Sequence, residues 1–181
     1  MTPNAISGST LSIGYRVAPK ILVTESDFDG QEWTEVGGLL TLGSVGLTQN
    51  YGSQSMISMG FDVQFKGTKS FNIMENVFSF MPLDAGQIAM NAADNCGTYA
   101  FRIDYGGCED VRVQMFYGQV APAVWQGGDA NTGQVMNRPI LVSSVVVDGN
   151  LSPPGFSFLL SPVDGFGMLS LDGFDQFVGV S

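Results

Sequence analysis

The chain contains no histidine among its 181 residues. Histidine is the commonest general base and a usual ligand of zinc, iron and copper. Its absence excludes Ser-His and Cys-His nucleophile pairs, although it leaves carboxylate chemistry open. A Walker A loop, a GxGxxG dinucleotide motif and a GxSxG nucleophile elbow are missing as well. We therefore expect a protein that is not an enzyme, with no catalytic residues and no cofactor.

Positive charge is also scarce. Seven Lys and Arg residues stand against 17 Asp and Glu, which gives a net charge of −10 and a pI near 4.1. Proteins that grip phosphate need clustered Lys and Arg, so we expect no bound nucleic acid. Charged residues make up 13% of the chain, against about 25% in a typical soluble domain. The deficit indicates extensive protein-facing surface, either core or subunit interface.

Cysteines and long apolar runs are few. Cys96 and Cys108 are not a CxxC pair, and a bridge from an expected helix end to an expected hairpin turn is geometrically awkward. We expect two reduced, semi-buried thiols in a cytosolic product. The N-terminus lacks the basic start and apolar run of a signal peptide. No apolar stretch approaches about 18 residues, so we expect no contact with a membrane.

Two carboxylate patterns resemble functional sites. We interpret the pair Glu109-Asp110, at an expected turn, as solvated charge rather than a hydrolytic pair. A second group has the spacing of the first half of a calcium loop: Glu25, Asp27, Asp29 and Gly30. The Glu that belongs at the twelfth position of such a loop is replaced by Val36. We therefore expect no metal site.

Glycine is abundant, with 24 residues, and together with β-branched and aromatic residues it is typical of many strands joined by turns. Residues 61–67 alternate apolar and polar, which predicts a half-buried strand with Phe61, Val63 and Phe65 on the covered face. Further strands are predicted at 70–80, 98–105, 110–120 and 140–147.

One helix is predicted, at about residues 84–96. Asp84 can cap its N-terminus, and Gln87 three residues later completes a capping-box pattern. Gly97 stands where a glycine cap of the C-terminus belongs. Small and apolar residues at helical spacing predict the buried face: Ile88, Ala89, Ala92, Ala93 and Cys96.

Residues 42–60 are rich in Gly, Ser, Gln and Asn, with single apolar residues between them. This composition predicts a long flexible connection. Loops of more than about a dozen residues inside a compact domain are usually functional or disordered.

Three segments follow one another in an informative order: Asp84-Ala85-Gly86-Gln87-Ile88-Ala89, then Phe101-Arg102-Ile103, then Val113-Gln114-Met115-Phe116-Tyr117-Gly118-Gln119-Val120. With the acidic turn around Trp33 and the polar segment before them, they resemble the major tail tube proteins of long-tailed, siphovirus-like bacteriophages. The resemblance covers roughly residues 11–147.

The resemblance implies a mainly β fold of two packed, partly rolled antiparallel sheets, with the helix at about 84–96 on their flank. It implies hexameric rings that join sheet edges and stack into a tube for DNA. Residues 11–147 would form the tube domain. The loop 42–60 and the N-terminal arm 1–10 would bridge rings, and 148–181 would be a C-terminal arm or a small added β element.

The resemblance also implies where functional residues lie. Inter-ring contacts are expected in the polar segment, at Gln49, Asn50, Tyr51 and Met56. A channel wall that carries a genome should repel phosphate. Candidates for the lumen are Asp62 and Gln64 on the polar face of residues 61–67, and Glu75; a plain solvated exterior is the alternative for each.

The implied partners are other copies of the chain and the tape measure, distal tail and tail terminator proteins. Double-stranded viral DNA would pass through without being bound. The implied location is the virion tail, after assembly in the host cytoplasm. Two other functions stay open: the tube subunit of a contractile secretion or injection system, which shares the fold, and a capsid decoration protein.

Overall fold

The structure of the chain is a computed structural model that describes residues 7–57, 60–106, 112–127 and 133–150. Within these ranges the chain forms thirteen β-strands, a 3-10 turn at Glu25–Phe28 and one α-helix, α1, at Ala85–Ala92. The strands are β1 Thr10–Val17, β2 Thr34–Glu35, β3 Leu39–Thr41, β4 Leu47–Met56, β5 Phe61–Phe71, β6 Ile73–Met74, β7 Val77–Ser79, β8 Thr98–Tyr105, β9 Arg112–Val120, β10 Val124–Gln126, β11 Val135–Asn137, β12 Ile140–Val142 and β13 Val147–Asn150.

The strands form three antiparallel sheets. The large sheet runs in the order β2-β1-β8-β9-β12-β6, and β13 also pairs with β9. A four-stranded sheet runs in the order β10-β11-β7-β3, and β4 pairs with β5 in a two-stranded sheet. The predicted mainly β fold, with antiparallel sheets and one helix, is confirmed for the described residues. The separate two-stranded sheet is not among the predicted elements.

The main core lies between the large sheet and the four-stranded sheet. Phe101 of β8 and Phe116 of β9 are fully buried and stack with ring centroids 5.6 Å apart. Phe78 of β7 and Met136 of β11 belong to the same buried cluster. The alternation predicted for residues 98–105 is confirmed, because one side of β8 enters this core.

The opposite face of the large sheet is covered too. Phe28 of the 3-10 turn packs on Tyr117 of β9, with ring centroids 5.0 Å apart. The Tyr117 hydroxyl donates to the carbonyl oxygen of Asp27 at 3.0 Å. Strand β9 is thus buried on both faces, which explains why apolar residues occur at successive positions and not only at alternate ones.

Helix α1 begins as predicted. The Asp84 carboxylate accepts from the backbone N–H of Gln87 at 2.8 Å. The second half of the predicted capping box is wrong, because the Gln87 side-chain oxygen accepts from the backbone N–H of Met81 at 3.0 Å and not from that of Asp84. The Gln87 amide nitrogen donates to the carbonyl oxygens of Gly37 and Ser79 at 2.9 and 2.8 Å. The side chain therefore ties the helix to the neighbouring backbone instead of closing its own first turn.

The helix ends earlier than predicted, and its predicted face is only partly correct, because Ala93 is buried and Ala89 packs against the core as predicted. The helix ends at Ala92 rather than at residue 96, and its buried face consists of Gly86, Gln87, Met90 and Ala93. A Cβ atom at Gly86 would lie 2.1 Å from the carbonyl oxygen of Glu35. Helix α1 thus approaches β2 more closely than a side chain permits, and this contact sets the rotation of the helix. Three residues of the predicted face are exposed: Ile88, Ala92 and Cys96.

The C-terminal end of α1 is held by Arg138, which is buried. Its Nη1 donates to the carbonyl oxygen of Met90 at 3.3 Å, and its Nη2 bonds the Asn91 side chain. A cation at this end also complements the helix dipole. Burial lowers the pKa of Arg138, and the carboxylate of Asp94, 3.7 Å away, opposes that shift.

Two predicted strands are interrupted. Residues 70–80 divide among β5, β6 and β7, because the fully buried Asn76 marks the point where the chain leaves the large sheet for the four-stranded one. Residues 140–147 divide at Ser144, whose Oγ accepts from the backbone N–H of Tyr117 at 2.8 Å. Strands β12 and β13 consequently pair with the same strand, β9.

Strand β13 crosses the boundary expected at residue 147. Asp148 accepts hydrogen bonds from Gln114 at 2.8 Å and from Arg112 at 2.9 Å. These bonds hold the pKa of the Asp148 carboxyl below its ordinary value of 3.8. Strand pairing with β9 therefore continues to Asn150, and the division of the chain into a domain and a C-terminal arm stays a prediction.

The irregular connection predicted at 42–60 is wrong over residues 47–56, which form β4. This strand is mostly polar and gives no amphipathic signal, and neither of its faces is buried by the described residues. Residues 1–6 and 151–181, which make up most of the two predicted arms, lie outside the described residues, as do Cys108 and Glu109-Asp110.

Candidate functional site

The hairpin β4–β5 stands apart from both packed sheets. Within the described residues, its strands pair only with each other. At its base, the Asn72 side chain donates to the carbonyl oxygen of Ser44 at 2.7 Å, and the Asn72 N–H donates to that of Gly46 at 3.4 Å. From this base the two strands run to a tip at Met56 and Phe61. The hairpin is therefore anchored at one end, and no other strand of the described chain pairs with it along its length.

A bulge interrupts the register of the hairpin. Tyr51 lies opposite Lys66, and Gln49 lies opposite Lys69. A step of two residues on β4 therefore corresponds to a step of three residues on β5. Directly opposed residues share a face of the sheet, so both lysines project from the face of Tyr51 and Gln49. In a regular strand, residues three apart would lie on opposite faces. The extra residue, next to Gly67, is what brings the two lysines to one side.

The other face of the hairpin is apolar and exposed. Phe61, Val63 and Phe65 expose 77%, 42% and 54% of their surface, and Met56 lies opposite Phe61. The Phe65 ring lies over Gly52, its cross-strand partner, where a Cβ would approach it to 2.5 Å. The predicted alternation is present, but the half-buried strand expected at 61–67 is wrong within a single copy, because nothing in the described chain covers it.

The structure separates the predicted lumen residues. Asp62 and Gln64 lie on the polar face of the hairpin, the face that carries Lys66 and Lys69. The Ser55 hydroxyl donates to the Asp62 carboxylate at 2.5 Å. Glu75 is not on the hairpin; it follows β6, and its carboxylate accepts from the Asn137 side chain at 2.9 Å.

The four predicted inter-ring residues all lie on β4 and divide between its two faces. Gln49 and Tyr51 are on the polar face, and Asn50 and Met56 are on the other. The structure thus groups them on one exposed element, and whether they contact another ring stays a prediction. Sequence reasoning missed Lys66 and Lys69, because their common face depends on a bulge.

A second exposed apolar group lies at the open edge of the four-stranded sheet. Among the described strands, β10 is the end strand of this sheet, and Trp125 and Val124 expose 55% and 60% of their surface. The Trp125 ring meets Phe80 edge to face, with centroids 5.0 Å apart. Cross-strand pairing places Trp125 in one row with the buried Met136 and Phe78, so the apolar core continues to this open edge. This edge was not singled out from the sequence.

The acidic segment is residues 25–35, which hold five carboxylates and no Lys or Arg. Both oxygens of Asp27 lie 2.7 Å from the Lys20 ammonium, and this bond, with that from the Thr24 backbone, lowers the pKa of the Asp27 carboxyl. Both carboxylate oxygens of Asp27, the central residue of the calcium-like motif, are thus bound to Lys20. Glu25 and Asp29 line a shallow cavity of about 170 Å³ beside Arg102.

Other candidate chemistry is sparse in the described ranges. No group of three or more His, Cys, Asp or Glu side chains there could hold a metal ion. Cys96 is exposed, so its predicted semi-buried position is wrong. Among the described helical residues, none form a segment long and apolar enough to cross a membrane.

No protein-family model matches the chain, and no curated protein matches it. Solved structures do match. The PVC sheath/tube terminator of an extracellular contractile injection system, in its extended state, is 8% identical, with a TM-score of 0.57 over 82% of this chain and 98% of its own. A chain of the anti-feeding prophage baseplate is 7% identical, with a TM-score of 0.59 over 84% and 98%.

The tail tube of SPP1 is 12% identical, with a TM-score of 0.52 over 82% of this chain and 80% of its own. At such low identities the likeness concerns the fold alone. This chain therefore shares the fold of components of a phage tail tube and of contractile injection systems.

Proposed function

We propose that this chain is the repeating structural subunit of a phage tail tube. Copies associate into hexameric rings, and the rings stack into a tube through which viral DNA reaches the host. The observation that carries the proposal is the β4–β5 hairpin, exposed on both faces and apolar on one. A two-stranded hairpin alone is marginally stable in water. A neighbouring molecule that covers the apolar face would stabilise it.

A second copy is the best candidate for that neighbour. The shared fold with a tail tube and with injection-system components supports this choice. The open β10 edge supports it too, since an end strand with exposed Val124 and Trp125 invites a neighbouring sheet. A tube of stacked rings needs one contact within each ring and another between rings. The hairpin and the β10 edge give each subunit two separate contact surfaces.

The remaining assignments follow from this role. Gln49, Asn50, Tyr51 and Met56 on β4 would contact the adjacent ring. Tape measure, distal tail and tail terminator proteins would contact the ends of the tube. The protein would act in the virion tail after assembly in the host cytoplasm, without catalysis, cofactor or membrane contact.

The lumen assignments meet a physical difficulty. Asp62 and Gln64 share their face with two lysines, so the hairpin over residues 47–71 carries two Lys and one Asp, a net charge of +1. Such a face would attract phosphate rather than repel it. Asp62 and Gln64 can line a DNA channel only if other carboxylates neutralise Lys66 and Lys69, whereas Glu75, which lies off the hairpin, is not subject to this condition.

A second candidate is the tube of a contractile injection system. One of the solved structures reported above, the PVC sheath/tube terminator, comes from such an assembly. The two functions share self-association and differ in what surrounds and fills the tube. Co-expression with the neighbouring genes would separate them, because a contracting sheath around the tube would favour the injection system.

The proposal is tested by sedimentation velocity and negative-stain electron microscopy of the purified chain across a concentration series. We expect a concentration-dependent shift from monomer to hollow rings or tubes with six-fold symmetry. A trimer at all concentrations would contradict the proposal and favour a capsid decoration protein.

A further inference from the structure

Lys66 and Lys69 are exposed cations without an ionic partner in the described part of the chain. Of the seven Lys and Arg residues, Lys20, Arg102, Arg112 and Arg138 lie within 4.0 Å of a carboxylate. Among described residues Arg16, Lys66 and Lys69 have no such neighbour. In a chain of net charge −10, two unpaired lysines on one face are an unusual concentration of positive charge.

The bulge in the backbone is what places Lys66 and Lys69 on the same face. The lysines are three residues apart and would point to opposite faces of a regular strand. The extra residue beside Gly67 places both on the face of Gln49 and Tyr51. Bulges commonly re-aim side chains near functional surfaces. Tyr51, opposite Lys66, is itself exposed.

The acidic counterpart lies on the body. Glu32 and Glu35 are exposed, and neither has a Lys or Arg within 4.0 Å in the described residues. Glu32 accepts a hydrogen bond from the Tyr15 hydroxyl, which fixes its position. Glu35 lies on β2, and the segment 25–35 around both residues holds three further carboxylates.

The two charged groups belong to opposite ends of the large sheet. In the strand order β2-β1-β8-β9-β12-β6, Glu35 is on the first strand. The hairpin enters the last strand, since β5 ends at Phe71 and β6 begins at Ile73. A two-fold contact could pair these two groups, but it closes after two copies. A head-to-tail contact leaves one free group at each end, so it closes into rings or grows into filaments, as the proposed tube requires.

We propose that Lys66 and Lys69 of one copy bind Glu32 and Glu35 of the next copy. The inference rests on the proposed tube function and names the contact that joins its subunits. It also removes the difficulty with the lumen, because carboxylates of the neighbour would neutralise the cationic face of the hairpin. Phe61, Val63 and Phe65, on the opposite face, would remain available for an apolar contact.

Charge reversal in the full-length chain tests the contact. We expect Lys66→Glu with Lys69→Glu to raise the critical concentration for assembly by about tenfold or more, because like charges then face each other. Glu32→Lys with Glu35→Lys should have the same effect. The variant with all four changes restores attraction and should return to within about threefold of the wild type.

Two controls separate the contact from net charge. Arg16→Glu reverses the third unpaired cation, on the body, and should change the critical concentration less than Lys66→Glu alone. Replacing both lysines with Arg keeps the charge and should preserve assembly. Raising salt from about 0.05 M to about 0.5 M should weaken wild-type assembly, since the Debye length falls well below 10 Å.

The inference is overturned if the wild type assembles and the four-fold variant does not, or if reversing the lysines has no effect. It is also overturned if the lysine reversal leaves assembly intact but abolishes binding of a duplex DNA probe, which would make phosphate the ligand. A wild type that never assembles would instead refute the proposed tube function, and the inference with it.

Discussion

Removing the aromatic residues from the apolar face of the hairpin should block assembly without unfolding the subunit. Phe61 and Phe65 expose 77% and 54% of their surface in the single copy. Full burial of a Phe side chain contributes about 1.5–3 kcal/mol, so covering these exposed fractions contributes about 1–2 kcal/mol each. Phe61→Ser with Phe65→Ser should therefore weaken one intersubunit contact by about 3 kcal/mol, which corresponds to roughly a hundredfold rise in critical concentration.

The assay is pelleting of assembled material over a concentration series, with the thermal unfolding of the dilute monomer measured in parallel. The unfolding midpoint should stay close to that of the wild type, because the hairpin packs against no other sheet in the described residues. Leu22→Ser removes an exposed apolar side chain from the body and serves as the control. Unchanged assembly of the double variant would refute the claim that another copy covers this face.

Three further substitutions test the fold. Arg138→Ala should lower the free energy of unfolding by about 2–3 kcal/mol, since it leaves the end of α1 without its donor and opens a cavity. Gly86→Ala should cost about 2 kcal/mol despite the better helix propensity of Ala, because its Cβ would meet the Glu35 carbonyl. Asp148, whose pKa is lowered by Gln114, stabilises the fold above its ordinary pKa and loses this contribution as the pH falls through 3.8 and below. The stability difference between wild type and Asp148→Asn in urea unfolding should therefore shrink between neutral pH and about pH 3.

Each of these has a reference variant. Arg16→Ala removes a cation that has no carboxylate within 4.0 Å among the described residues, and Gly127→Ala adds a Cβ with nothing within 4 Å. Both variants should change the free energy of unfolding by less than about 0.5 kcal/mol. Arg112→Gln removes the positive charge of one of the two donors to Asp148 and should reduce the same pH dependence. Equal effects of Arg138→Ala and Arg16→Ala in urea unfolding would refute the role given to Arg138. A stable Gly86→Ala would show that the helix can move away from β2.

Some elements could be predicted because their signal is local. The alternation over residues 98–105 places Phe101 and Ile103 on the core side of β8, as the structure confirms. The Asp84 cap needs only the backbone three residues ahead, and it forms as predicted. Hydrophobic alternation and helix capping involve only a few neighbouring residues, so both can be predicted from a single sequence.

The helix face could not be predicted because it depends on a distant strand. Spacing of small residues favours Ile88 and Ala92, but the close approach of Gly86 to Glu35 turns another face inward. Glycine carries no hydrophobic signal, so periodicity gives it no weight. Only the position of β2, about fifty residues earlier in the chain, shows why a missing side chain is needed there.

The isolated β4–β5 hairpin was not predicted, because local patterns do not show what covers a strand. Alternation over residues 61–67 correctly separates two faces, but it cannot say whether the apolar face is covered by the same chain or by another. Strand β4 is mostly polar, with only single apolar residues, so its composition resembles a loop until its pairing with β5 is known. The common face of Lys66 and Lys69 arises from a bulge, which no local pattern marks.

The most direct test of the central claim is a cryo-EM map of the assembly formed by the purified wild-type chain. We expect six-fold rings in which the hairpin of each subunit is covered by a neighbouring copy, with density between Lys66 or Lys69 and a carboxylate of that copy. A map in which both faces of the hairpin meet solvent, or a chain that stays monomeric at every concentration, would contradict the claim.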